Sequence, residues 1–136
     1  MKANALLKPL KLGRHELPNR TFMAPLTRCR ADNPKNAANS LMAEYYGQRA
    51  SAGLIISEGS PVSPQAVGTI NIPGIYTQAQ IDGWKLVTEA VHKKNGRIFC
   101  QLWHVGRMSH PDFQGGKKPV APSPINPHDL AFTAEG

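Results

Sequence analysis

Short apolar runs alternate with amphipathic stretches along this chain. Residues 20–26 (RTFMAPL) read as a first strand, ended by Pro25 and the polar pair Thr27 and Arg28. Ser40 is placed to cap a helix running through Leu41, Met42, Tyr45 and Tyr46 to Ala52, with Gly53 as its stop. The run 54–58 (LIISE) is short and rich in β-branched residues, as a buried parallel strand requires. Thr77 and Gln80 then have the spacing of a capping box. Behind them Ile81, Trp84, Val87 and Val91 recur at three- and four-residue steps, one apolar helical stripe. Asn95 and Gly96 close that helix with residues suited to positive φ, and 97–103 (RIFCQLW) form a third strand.

Two strand–helix units followed by a strand predict a parallel sheet with right-handed crossovers. No G-x-G-x-x-G follows any strand, so the dinucleotide-binding signature of an open doubly wound sheet is missing. Three strands and two helices do not close a barrel. The 33 residues after Trp103 carry five prolines and no clear periodicity, as in a lid or binding excursion. The chain is therefore expected to be the N-terminal part of one domain, residues 1–136, ending inside a long loop after the third strand.

Apolar residues at 40% and charged residues at 18% suit a globular chain. No apolar run reaches the roughly 18 residues of a membrane span. Residues 1–12 hold Lys2, Lys8 and Lys11 without an apolar signal core, so a cytoplasmic, untargeted chain is expected. The net charge of +7 concentrates early: residues 1–36 hold eight Lys/Arg against Glu16 and Asp32. These cations are scattered, without a basic run, an aromatic RNA-binding motif or zinc-finger spacing, so nucleic acid is not an expected partner. Cys29 and Cys100 belong to no CxxC pair and indicate a reducing compartment. His104 and His110 lack companions at ligand spacing, so no metal is expected.

In a parallel strand–helix fold, ligands collect at the C-terminal strand ends. Here those ends hold Pro25, Leu26 and Thr27, then Glu58, Gly59 and Ser60, then Gln101, Leu102, Trp103 and His104. The set offers a hydroxyl, a carboxamide, a close-approach glycine and an indole, but few general acids, bases or nucleophiles. It suits holding a polar aromatic cofactor that carries the reaction itself.

At these residues the chain resembles the old yellow enzymes, flavin-containing ene-reductases, especially the bacterial N-ethylmaleimide and nitrate-ester reductase branch. The matching segments are Asn19 with Arg20, MAPLTR at 23–28, MAEYY at 42–46, QRASAGLIISE at 48–58, and QLWH at 101–104 with Gly106 and Arg107. They follow family order and spacing across nearly the whole chain, which corresponds to about the first third of a typical member. The resemblance implies a (β/α)8 TIM barrel, of which this chain supplies roughly three strands and two helices. It implies FMN contacts at Pro25, Leu26, Thr27, Gly59 and Gln101. The Thr27 hydroxyl would tune the flavin, and Gln101 would meet the pyrimidine edge. Gly59 stands where the family commonly has alanine, a small residue that admits the cofactor.

Trp103 would line the substrate side. Thr69, in GTINIPG at 68–74, replaces a frequent family tyrosine there, which changes the wall facing substrate. On the residues alone, plainer roles stay open: Thr27 ending a strand, Gln101 pairing with neighbouring backbone, Trp103 as ordinary packing. Another branch has cysteine at the position of Thr27, and Cys29, two residues on, reads instead as a structural or surface thiol.

The reaction implied is ping-pong: NADPH or NADH reduces the flavin, which reduces electron-poor alkenes such as enones and maleimides, with nitro compounds and nitrate esters as further substrates. The family's paired substrate-binding residues, tyrosine proton donor and phosphate site lie on later strands, so no catalytic acid is assigned here. A complementary chain carrying the rest of the barrel is the expected partner. The alternative function is a non-catalytic binding or interaction fragment lacking a complete flavin site.

Overall fold

A computed structural model describes residues 5–134. It contains a two-stranded antiparallel hairpin and a three-stranded sheet with two helices. The hairpin pairs β1 (Leu10–Leu12) with β2 (His15–Leu17). The sheet consists of β3 (Phe22–Met23), β4 (Leu54–Pro61) and β5 (Ile98–Trp103), in the order β3-β4-β5. Both pairings are parallel, as the alternation of strand and helix signals required. The helices α1 (Ser40–Gly47) and α2 (Gln78–His92) are the two crossovers.

The best-specified start is that of α2. The Thr77 hydroxyl accepts from the Gln80 N–H at 3.3 Å, and the Gln80 carboxamide oxygen accepts from the Thr77 N–H at 3.1 Å. The same carboxamide donates to the Lys35 carbonyl at 3.1 Å, which explains a buried glutamine on an apolar face. Trp84, Val87 and Val91 are buried against Met42, Tyr46 and Ala50 from the α1 region and Ile55 of β4. Asn95 adopts φ +59° beyond the helix end.

Several expectations need correction. Ile81 is not on the buried stripe: it is 38% exposed, because Gln80, Gly83, Trp84, Val87 and Val91 define the inward face. The cap of α1 is Asn39, whose side chain accepts from the Met42 N–H, and Ser40 is the first helical residue. That helix stops at Gly47, and the chain passes through tight turns to Ala52. Gly53 serves the sheet, since a Cβ there would stand 2.1 Å from the Asn19 carbonyl oxygen. The first strand is only Phe22–Met23, while the second extends to Pro61. The hairpin at 10–17 carried no strand signal long enough to read, and Gly13 turns it at φ +55°.

The segment after β5 is ordered by short turns at Gly106–Met108 and Pro111–Gln114. Ser109 Oγ donates to the Val67 carbonyl at 2.6 Å, and Gln114 Nε2 donates to the same oxygen at 3.2 Å. This excursion is thereby fastened to the loop beyond β4.

Candidate functional site

The register of the sheet decides which residues meet at the strand ends. Ile56 pairs with Phe99, yet Gly59 pairs with Gln101, so β4 carries one extra residue between the two pairs. This is a β-bulge. Ser57 Oγ accepts from the Gln101 N–H at 3.1 Å, satisfying a donor that the irregular ladder leaves over. Ile55 faces the helices, so Ile56 and its partner Phe99 face the opposite side. By the same alternation Gln101 lies on that side too, and the bulge brings Gly59 onto it.

Trp103 shares this face. A Cβ at position 59 would stand 2.2 Å from Trp103 Cε3, so the missing side chain of Gly59 makes room for the indole. The Gln101 side chain is exposed, and its carboxamide has no protein hydrogen-bond partner among the described residues, while its backbone N–H donates to Ser57 Oγ. Pro25, Leu26 and Thr27 are exposed beyond β3, and the Thr27 hydroxyl is likewise unpartnered among the described residues. Thr69 is half-buried in the loop after β4, beside Gly68, which packs against Val105. Cys29 is a free, half-buried thiol at φ +51°.

Sequence reasoning named Glu58 only as a strand-end residue. The structure makes it the junction between the segment after β3, strand β4 and α1. Its side chain is buried, accepting from the Arg28 N–H at 3.3 Å and from the Tyr46 hydroxyl at 3.1 Å. The Tyr46 oxygen accepts in turn from the Glu58 N–H at 2.9 Å. Burial pushes the Glu58 carboxyl up from the ordinary glutamate range, against the opposing pull of the Arg28 N–H and the Tyr46 hydroxyl. Burial and the neighbouring carboxylate also push the Tyr46 phenol up. The one signal that could have marked Glu58 was a carboxylate inside an otherwise uncharged strand.

A raised carboxyl means that the folded state holds its proton more tightly than the unfolded state. Stability should then fall as pH rises from the ordinary glutamate value, about 4.3, through the raised one. We expect Glu58→Gln to lack this component, so that the difference between its denaturation midpoint and that of the parent changes between pH 4 and 7. A difference independent of pH would contradict the assignment.

The donor set fits an isoalloxazine ring. A carboxamide offers both a donor and an acceptor to a pyrimidine edge, and a hydroxyl offers a donor to a carbonyl. Among the described residues no cluster of three metal-binding side chains exists, and no helix is long and apolar enough to cross a membrane.

Residues 5–134 match the NADH:flavin oxidoreductase / NADH oxidase family. The chain is 50% identical over 124 residues to the flavin oxidoreductase hxnT of Emericella nidulans, covering 88% of this chain and 32% of that protein. It is 46% identical over 134 residues to 12-oxophytodienoate reductase 7 of Oryza sativa subsp. japonica, covering 98% and 32%. The fold superposes on the old yellow enzyme homologue of Zymomonas mobilis with TM-score 0.92 at 45% identity, covering 98% of this chain and 37% of that one. It superposes on morphinone reductase in complex with tetrahydroNAD with TM-score 0.84 at 56% identity, covering 90% and 33%. The chain thus spans about a third of the length of the relatives it matches. Three consecutive strands and two crossover helices of a TIM barrel are arranged here as in those proteins, and the chain belongs to the NADH:flavin oxidoreductase / NADH oxidase family.

Proposed function

We propose that this chain supplies part of the flavin-binding wall of an FMN-dependent ene-reductase barrel. The observation that carries the reading is the register pairing of Gly59 with Gln101, beside a carboxamide and a Thr27 hydroxyl that have no partner among the described residues. FMN, when bound, supplies hydride transfer between NADH or NADPH and an electron-poor alkene such as an enone or maleimide. The chain's own residues bind and tune. Gln101 holds the pyrimidine edge, and Thr27 donates to a ring carbonyl where negative charge grows on reduction. Pro25 and Leu26 give backbone contact beside Thr27. The Trp103 indole over Gly59 narrows the substrate side, and Thr69 puts a small side chain where the family pattern often has a tyrosine ring. The proton needed at the alkene α-carbon comes from the part of the barrel that later strands build. That part is either a continuation of this polypeptide or a complementary chain.

The test is flavin absorbance in the purified assembled barrel, followed by NADH- and NADPH-dependent reduction of N-ethylmaleimide. Gln101→Leu should weaken FMN binding about 5- to 150-fold, since an apolar group leaves flavin polar atoms unpaired at a cost of about 1–3 kcal/mol. Fluorescence of released FMN measures the change. An unaltered dissociation constant in a folded variant removes Gln101 from the site, and a colourless parent protein removes the flavin reading altogether.

A further inference from the structure

Glu58 is hydrogen-bonded at each of its polar atoms. Its N–H donates to Tyr46, and its two carboxyl oxygens accept from the Tyr46 hydroxyl and the Arg28 N–H. Its carbonyl accepts from Ser57 Oγ at 2.8 Å and Ser60 Oγ at 3.3 Å. A residue fixed at so many points is itself a fixed point for its neighbours. On one side it holds the amide of Arg28, the residue directly after Thr27, and the next residue of its own strand is Gly59. Residues 25–30 have no ladder of their own, because β3 ends at Met23. Beyond that strand, the Arg28–Glu58 bond ties the Thr27 loop to β4.

We propose that Glu58 is a positioning residue for the Thr27 hydroxyl, setting its placement relative to the flavin through the Arg28 amide. This rests on the flavin reading above. The carboxyl does not itself meet the cofactor: it is buried on the Tyr46 side, bonded into α1, while Gly59 and Gln101 occupy the other face of the sheet. Tyr46 anchors the carboxyl from α1, so the loop after β3 takes its position from the helical layer and not only from its own strand.

The prediction separates placement from charge. If Glu58 acts by placing a donor, Glu58→Gln disturbs one of its two acceptor bonds and weakens the Thr27 contact. The flavin midpoint potential then moves to more negative values, in the direction expected for Thr27→Ala. If Glu58 acted by its own negative charge, removing that charge would move the potential to more positive values. A double-mutant cycle sharpens this, because residues acting through one contact are not additive. The shift caused by Glu58→Gln should disappear in the Thr27→Ala background.

The experiment is spectroelectrochemical titration of the flavin-loaded assembled barrel in the parent and in Glu58→Gln, Thr27→Ala and the double variant. Hydrogen exchange at the Arg28 amide is followed alongside. A negative shift that vanishes without Thr27, with lost protection at Arg28, supports the proposal. A positive shift, no shift, or an equal shift in both backgrounds overturns it. Should Glu58→Gln fail to fold with flavin, Tyr46→Phe, which keeps the carboxyl but removes one of its donors, is read in the same way. If neither variant folds with flavin, Glu58 serves folding alone and the proposal is overturned. If the parent itself holds no flavin, the functional reading fails separately; unchanged Arg28 protection in Glu58→Gln would then overturn the tie as well.

Discussion

Expressed alone, residues 1–136 should not yield a cooperative, flavin-saturated monomer. The helices cover one face of a sheet whose outer strands, β3 and β5, each pair only with β4 among the described residues. Each therefore presents an edge of unpaired N–H and C=O groups. On β5 the residues from Phe99 to Leu102 are exposed, with Leu102 at 66%, and Phe22 on β3 is 42% exposed. In a closed barrel such edges pair, and inward side chains from all strands fill one core. Small chains already bury a modest fraction of their surface, so without that core conformational entropy should dominate. We expect association or a broad, non-cooperative thermal transition, with flavin bound well below one per chain. Adding a chain that carries the remaining strands should restore a sharp transition and stoichiometric flavin together, because binding and folding then reinforce each other. Sedimentation, thermal unfolding and flavin content read the result. A cooperative monomer binding FMN one-to-one without a partner would mean that these residues close a smaller fold of their own.

The second large effect reverses a helix-propensity rule. Replacing a glycine inside a helix with alanine ordinarily stabilises by about 1 kcal/mol. At Gly83 of α2 a Cβ would stand 2.4 Å from the Ala38 carbonyl oxygen and 2.8 Å from its nitrogen, both backbone atoms. Neither is the end of a flexible side chain, so the segment must move. We expect Gly83→Ala to destabilise the assembled barrel by about 2 kcal/mol net. The displacement should also reach the site. Ala38 precedes Asn39, which caps α1 and donates to the Arg30 carbonyl at 2.7 Å, close to the Thr27 loop. Denaturant titration gives the sign: a stabilised variant would show that α2 and residues 36–38 have room to separate.

How much could be read in advance depended on how local the signal was. The capping box at Thr77 and Gln80 is complete within four residues, and it forms as spaced. The parallel order followed from alternation alone, because right-handed crossovers leave few topologies. Boundaries set by distant contacts were not legible. The turn at Gly47 places that residue against Ala90 of α2, a neighbour invisible to the periodicity of α1. Ile81 looked like a member of the stripe because its spacing fits, yet the inward face is fixed by Gln80 and Gly83, a capping side chain and a close approach. The hairpin at 10–17 has strands of three residues each, too short to show alternation. At the site, family spacing singled out Thr27, Gly59 and Gln101, and the sheet register sets Gly59 opposite Gln101. Glu58 was not, because its importance lies in hydrogen bonds to Arg28 and Tyr46, residues 30 and 12 positions away.

The bulge in β4 makes the length of this strand a chemical variable. With regular pairing beyond Ile56 and Phe99, the residue opposite Gln101 would be Glu58 and not Gly59. The extra residue lets Glu58 turn to the helical side while Gly59 stays opposite Gln101. Deleting Ser57 or Glu58 would return β4 to regular pairing with Gly59 still opposite Gln101, at the loss of either the Ser57 Oγ bond to the Gln101 N–H or the Glu58 tether to α1. One inserted residue thus acts as a phase shifter. The lower half of the strand answers to the helical core, the upper half to the face that carries Gly59 and Gln101, and sequence drift in either can proceed without dragging the other out of frame.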